Sequence, residues 1–148
     1  MNNLKNISLA ILLTLVSTFA FAQKQETMTL VSSKNLNGAT EVFVDFRGNV
    51  QVASWDKDYI GIVLEIKTNG ITKEVIKHLI SKKHFKISSY KTDQNSLHLS
   101  NPNIVFPVYI NGRWLKEDNT YQLFVPRNTF VTLKTDEETP GKTVLVKL

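Results

Sequence analysis

Apolar residues alternate with other residues between positions 41 and 66, and this pattern most narrowly limits the fold of the 148-residue chain. Side chains on a strand point alternately to the two faces of a sheet, so a period of two with many β-branched residues predicts strands. The alternating segments are 41–46, 50–52 and 60–66, separated by turn-forming residues at 47–49 and 55–58. The pattern therefore predicts an antiparallel three-stranded meander with one face in a core.

The period changes at Asn69-Gly70, a pair typical of turns. From there the apolar residues recur at helical spacing, and charged residues occupy the opposite face. The apolar positions are Ile71, Val75, Ile76, Leu79 and Ile80. This spacing predicts one amphipathic helix over about residues 72–83.

Short strands are predicted again after the helix. The segments 85–90 and 96–100 are expected to form a hairpin, and further strands are expected at 121–125, 130–134 and 143–148. Pro107 reduces the apolar segment 104–110 to an edge strand or an extended crossing segment, because proline cannot donate a ladder hydrogen bond. The predicted fold class is therefore mainly β or α+β, with antiparallel strands and one helix.

Residues 1–22 have the three parts of a secretory signal peptide. Lys5 precedes an apolar run at 7–22, which ends in the small-residue pattern Ala20-Phe21-Ala22. A membrane-spanning helix needs ~20 predominantly apolar residues, and this run is shorter, although a retained anchor is the alternative. We therefore expect cleavage and export, with no membrane span in the periplasmic or extracellular protein.

The mature chain is expected to hold one β-rich domain. Residues 23–40 are polar and predict an exposed lead-in with one strand at 26–31, and residues 41–148 form the domain itself. The sequence contains no cysteine, which excludes a disulfide framework. Gln23 stands where a lipoprotein would carry a lipid-modified cysteine, so the protein is not expected to be a lipoprotein.

Charge and motif content argue against several functional classes. The net charge is only +5 and the basic residues are scattered, so nucleic acid is not an expected partner. His78, His84 and His98 show none of the paired spacings of a helical metal site. We therefore expect no metal, no cofactor and no enzyme activity.

Four aromatic residues allow two interpretations. Trp55, Tyr109, Trp114 and Tyr121 have flat apolar faces with polar edges, which suit stacking against a sugar. Alternatively, Trp55 packs over a hairpin corner and Tyr121 joins the core. Trp114, with its neighbours Tyr109 and Arg113, forms the candidate ligand-binding set in either case.

Residues 42–66 carry a resemblance to a known family, through a segment at 42–58 and the strand with alternating isoleucines that follows it. The segment reads Val42-Phe-Val-Asp-Phe-Arg-Gly-Asn-Val50-Gln-Val-Ala-Ser-Trp55-Asp-Lys-Asp58, and a later segment, 121–126, is a strand that ends in Val-Pro. Together with the predicted helix, this order resembles the exported adhesin-like (head GIN-like) domains of bacteria, over about residues 40–135. The resemblance implies a β-rich, non-enzymatic domain that continues into a right-handed β-solenoid. Only 130–148 remains here for such a solenoid.

The sequence supports two main functional hypotheses. The first is a non-catalytic protein of the cell envelope, with surface or protein interaction as its role, whose final strand at 143–148 pairs with a partner. The second is a periplasmic module that binds a small ligand or a glycan in a cleft near Trp114 and Tyr109. A hydrolase with unrecognised residues is the third. The expected partners are another envelope protein or a surface glycan.

Overall fold

The computed structural model describes residues 24–92, 95–134 and 144–147, and the predicted signal peptide lies outside this range. Within the described residues, no helix is both long enough and apolar enough to cross a bilayer. The strands are β1 Gln25–Asn35, β2 Glu41–Asp45, β3 Asn49–Trp55, β4 Tyr59–Asn69, β5 Ser88–Lys91, β6 Ser96–Ser100, β7 Tyr109–Ile110, β8 Arg113–Trp114, β9 Glu117–Pro126, β10 Phe130–Leu133 and β11 Val144–Lys147. The helix α1 is Lys73–Ser81, and a short 3₁₀ helix covers Pro102–Val105.

Two mixed sheets and one small hairpin contain these strands. The four-stranded sheet has the order β1-β4-β9-β3, and the five-stranded sheet has the order β11-β10-β2-β6-β5. We call them sheet A and sheet B. Strands β7 and β8 form a separate antiparallel hairpin. Over the described residues the architecture is mainly β with one α-helix, as predicted from the sequence.

The first three strands of the alternating region do not form the predicted meander. Strand β2 belongs to sheet B, β3 pairs in parallel with β9, and β4 pairs antiparallel with both β1 and β9. The chain passes from sheet B to sheet A at Gly48, whose φ of +132° suits glycine and whose missing Cβ leaves room for the Asn119 backbone. Alternation correctly identified which face of each strand is buried. However, these strands belong to two sheets rather than one, and their buried faces meet between the sheets.

Strand stacking near the C-terminus is only partly solenoid-like. Strand β3 lies parallel to β9 and β10 lies parallel to β2, as neighbouring solenoid coils would. However, β11 returns antiparallel to β10, so the parallel stacking does not continue through the described part of the chain. The predicted final strand is present at the edge of sheet B. Residues 135–143, between β10 and β11, lie outside the described residues.

The core lies between the inward faces of the two sheets, and α1 contributes to it. The buried apolar residues include Val42, Val44, Ile60, Ile62, Leu64, Ile66, Ile76, Leu79, Tyr121, Leu123 and Val125. Full burial of one such side chain stabilises the fold by roughly 1.5–3 kcal/mol. The helix prediction is confirmed, with Thr72 at the N-cap position and both Ile76 and Leu79 buried.

Two segments differ from their predicted form. The strand predicted at 26–31 is present but longer, because residues 25–35 form an eleven-residue strand that pairs with β4 along its whole length. The apolar segment 104–110 is divided between the end of the 3₁₀ helix and strand β7. Its two-residue strand leads directly into the tight hairpin that carries the candidate site.

Candidate functional site

A two-residue turn builds the candidate site. Asn111 and Gly112 connect β7 to β8 with φ values of 50° and 74°. Positive φ at both central residues is the geometry of a type I′ turn, and Asn-Gly is its preferred sequence. A Cβ placed on Gly112 would meet no atom within 4 Å, so the tip of the hairpin lies in open space.

The base of the hairpin is anchored to the domain. The Leu115 amide donates a hydrogen bond of 2.8 Å to the Val108 carbonyl, which closes the hairpin below its two strands. Val108 and Leu115 are partly buried and pack against the core. The hairpin is therefore a short projection on a fixed base.

Trp114 and Tyr109 form an exposed aromatic pair on this projection. They are direct partners in the register of β7 and β8. Their ring centroids lie 4.0 Å apart with an interplanar angle of 45°. Tyr109 is 56% exposed and Trp114 is 57% exposed. Because each ring limits the movement of the other, the pair presents an ordered aromatic surface to solvent.

A groove of about 880 Å³ lies between the hairpin and residues 69–71, which precede α1. Its volume is in the range of small-molecule sites. Trp114 supplies an aromatic wall, Arg113 and Lys116 supply positive charge, and Asn69 and Asn111 supply amide groups. The groove can therefore stack a flat apolar face while donating and accepting hydrogen bonds at its edges.

All three predicted site residues lie on this one hairpin. Arg113 and Trp114 line the groove, and the Tyr109 ring packs against the Trp114 ring. The structure thus brings the three residues together.

The other two aromatic candidates have structural positions. The Trp55 indole N–H donates to the Tyr59 carbonyl at 2.8 Å, and its ring stacks on Phe124 at 5.5 Å between centroids. It also covers Gly61, where any Cβ would clash with the ring. Trp55 thus packs over the β3–β4 corner, as the second interpretation predicted.

Tyr121 lies in the core. It is fully buried and stacks on Phe46 with ring centroids 4.5 Å apart. Its hydroxyl accepts a hydrogen bond of 3.2 Å from Asn101 Nδ2. Burial raises the pKa of Tyr121 to about 12, Asn101 opposes that rise, and the nearby Glu117 charge adds to it. A single aromatic platform of all four residues is therefore wrong.

The three histidines lie in different surroundings. His84 Nε2 and Glu117 Oε1 are 3.1 Å apart, and both side chains are largely buried. His98 lies on sheet B, and His78 is exposed on α1. In the part of the chain that the structure describes, no three His, Asp or Glu side chains approach closely enough to hold a metal ion.

A second surface with aromatic side chains, not predicted from the sequence, lies on the outer face of sheet B. Thr132, Phe43, His98 and Tyr90 form one row across four strands. His98 stacks on Tyr90 with centroids 4.8 Å apart and also lies 4.8 Å from Phe43. Phe43, His98 and Thr132 each adjoin a buried residue of their strand, so their outward direction was predictable. Tyr90 lies between exposed residues and gave no such signal. The row itself depends on the register between strands, which one sequence does not reveal.

No family model and no curated protein matches this chain. Among solved structures, it is similar to a "putative cell adhesion protein" from Clostridium sporogenes, with 10% identity and a TM-score of 0.38. The alignment covers 73% of this chain and 46% of that protein, so the chain spans less than half of its length. At this level of similarity, no role is carried over from that protein.

Proposed function

We propose that the protein is a non-catalytic, exported binding protein of the cell envelope that contacts a protein partner through the β7–β8 hairpin. The exposed Tyr109–Trp114 pair carries this proposal. Tryptophan and tyrosine dominate the binding energy of many interfaces, because they bury a large area and lose little conformational freedom. The signal-peptide pattern at residues 1–22 supports the exported location.

The hairpin suits recognition because it is fixed before a partner arrives. The 2.8 Å Leu115–Val108 hydrogen bond and the stacked rings already order the contact residues. Binding therefore costs less conformational entropy than ordering a flexible loop would cost. Arg113, exposed on the same hairpin, adds a charged group that can bind an acidic partner at the rim.

The chemistry of the groove supports binding rather than catalysis. Its described lining contains aromatic, amide, aliphatic and cationic side chains, with no carboxylate and no imidazole. General acid–base catalysis usually requires one of those titratable groups near the reacting bond. The buried His84–Glu117 pair is not part of this lining.

A glycan is the second candidate partner, favoured by the groove beside Trp114. An indole ring can stack on the apolar face of a sugar, while Asn69, Asn111 and Arg113 offer hydrogen bonds to its hydroxyl groups. In this form of the proposal the ligand lies in the groove rather than across the hairpin tip. Both candidates require Trp114 to be exposed in the free protein.

A binding isotherm to isolated cell envelopes of the source bacterium tests the proposal. Trp114→Ala should weaken binding at least tenfold, because loss of a central aromatic contact costs about 2 kcal/mol or more. Phe130→Ala is the matched control, since Phe130 is 48% exposed, belongs to sheet B and does not line the groove. Unchanged binding of the Trp114 variant would reject the hairpin as the contact surface.

Pretreatment of the envelopes separates the two partner classes. Protease digestion should abolish binding if the partner is a protein. Periodate, which cleaves vicinal diols, should abolish it if the partner is a glycan. In the glycan case, a panel of soluble oligosaccharides should also change the fluorescence of wild-type protein and leave that of Trp114→Ala unchanged.

A further inference from the structure

Strand β1 forms one edge of sheet A. It pairs with β4 through all eleven of its residues, and no described strand pairs with its other side. The backbone groups on such an edge can accept another strand, so natural proteins usually protect long edges with charges, proline or bulges.

The middle of β1 lacks these protective features. Residues 27–33 read Thr-Met-Thr-Leu-Val-Ser-Ser, with no charged residue, proline or glycine. Val31 is 76% exposed at this edge. The two charged residues of β1, Glu26 and Lys34, lie near its opposite ends. A long, uncharged and β-branched edge of this kind favours pairing with a second strand.

We propose that two copies of the chain pair antiparallel through β1, with Leu30 of each copy on the two-fold axis. The two four-stranded sheets would then join into one continuous sheet. A two-fold interface requires a surface that is complementary to itself. The sequence of β1 meets this requirement in one register.

Charge selects that register. When Leu30 lies on the axis, Glu26 of each copy is opposite Lys34 of the other, which gives two pairs of opposite charge. Moving the axis to Thr29 would place Lys24 opposite Lys34, so two pairs of like charge would form. Directly opposite charges stabilise a strand pair, and like charges destabilise it.

The faces of the strand agree with this register. The residues of β1 that point towards the core side of sheet A are Glu26, Met28, Leu30 and Lys34. They alternate with residues that are exposed. An axis through a residue pairs even positions with even positions, so both copies keep their core faces on the same side. Outside the core, Val31 of one copy would lie opposite Thr29 of the other.

Single-cysteine variants test this pairing, because the natural chain has no cysteine. Residues 27 and 33 are both exposed, and the register places residue 27 of one copy opposite residue 33 of the other. Directly opposite residues lie within the Cα separation that a disulfide requires. An equal mixture of Thr27→Cys and Ser33→Cys proteins should therefore form a covalent heterodimer under mild oxidation.

Each cysteine variant alone is the matched control. In the proposed register, the two copies of residue 27 lie roughly 20 Å apart, so Thr27→Cys alone should not cross-link at a comparable rate. Absence of cross-linking in the mixture, or equal cross-linking of either variant alone, would overturn the proposal.

Charge reversal supplies an independent test by sedimentation equilibrium. Lys34→Glu should weaken the dimer about five- to tenfold, because it creates two like-charge pairs. Glu26 is left unchanged, because it is buried and bonds Lys24 of its own copy at 2.8 Å. Lys34→Arg should keep wild-type affinity, and Lys86→Glu, which lies outside β1, should change nothing. A monomeric wild-type protein, or a Lys34→Glu variant that dimerises as tightly as the wild type, would contradict the pairing.

Discussion

The two tryptophans of this protein have opposite environments. The Trp55 ring is covered by Phe124 and Tyr59, lies over Gly61, and its N–H group is bonded to the Tyr59 carbonyl at 2.8 Å. Trp114 contacts one ring, that of Tyr109, and leaves more than half of its surface in solvent. The contacts of Trp55 are used to hold the fold together. The exposed surface of Trp114 remains available to a partner, and this difference is the basis of the proposed function.

The largest expected difference between the two regions is in stability. Trp55→Ala should lower the free energy of unfolding by about 3 kcal/mol, because it removes a packed ring and leaves a cavity. Trp114→Ala should change it by no more than about 0.5 kcal/mol, as is usual for exposed positions. Urea denaturation of both variants measures the contrast. Equal losses would mean that the hairpin pair is part of the fold.

The tyrosines extend the comparison to pH. Because burial raises the Tyr121 pKa to about 12, the folded state resists ionisation that the unfolded chain undergoes near pH 10. The resulting stability is complete below pH 10 and is lost as the pH rises towards 12, by roughly 2–3 kcal/mol in total.

Denaturation of matched tyrosine variants at pH 8 to 12 checks this expectation. Tyr121→Phe should show a shallower loss of stability across that range. Its stability at neutral pH should be lower by about 1 kcal/mol, because Asn101 loses its buried hydrogen bond. Tyr109→Phe, on the exposed hairpin, is the control. A slope unchanged by Tyr121→Phe would contradict the role of burial.

One glycine in each of the two regions provides a further test of their difference. Gly61→Ala should cost about 1–3 kcal/mol, because the new methyl group would clash with the Trp55 ring. In a Trp55→Ala background the same change should cost much less, and a double-mutant cycle measures that coupling. Additive effects in the cycle would show that the ring is not the obstacle.

Gly112 is required for a different reason. Its surroundings are open but its φ is +74°, so Gly112→Ala should cost roughly 1 kcal/mol through backbone strain. Gly112→Asn should cost less, because asparagine tolerates this region. Thermal unfolding of the two variants provides the measurement. Equal destabilisation by alanine and asparagine would argue against the turn geometry.

The sequence was most informative where a residue's environment is set by its neighbours in the chain. The helix followed from the spacing of Ile76 and Leu79, and the core position of Tyr121 was one of the two interpretations that its sequence allowed. Asn111-Gly112 is a pair typical of turns, but the two-residue strands on either side of it are too short to show periodicity.

Pairing between strands was much harder to predict. Alternation shows which face of a strand is buried, but it does not show which other strand lies beside it. This is why β2 and β3 were predicted in one meander although they belong to different sheets. Strand β1 was placed in an exposed lead-in, because its outward positions are mostly polar. The aromatic row around His98 likewise depends on cross-strand register.

Acrylamide quenching of a Trp55→Phe variant that carries 7-azatryptophan tests the central claim most directly. Trp114 is then the sole tryptophan position of the protein, and the red-shifted excitation of the analogue separates it from the tryptophans of the envelopes. The account predicts strong quenching of Trp114 in the free protein and clear protection after saturation with isolated cell envelopes. If the envelope-bound protein is quenched as strongly as the free protein, Trp114 is outside the contact surface and the proposed function is wrong.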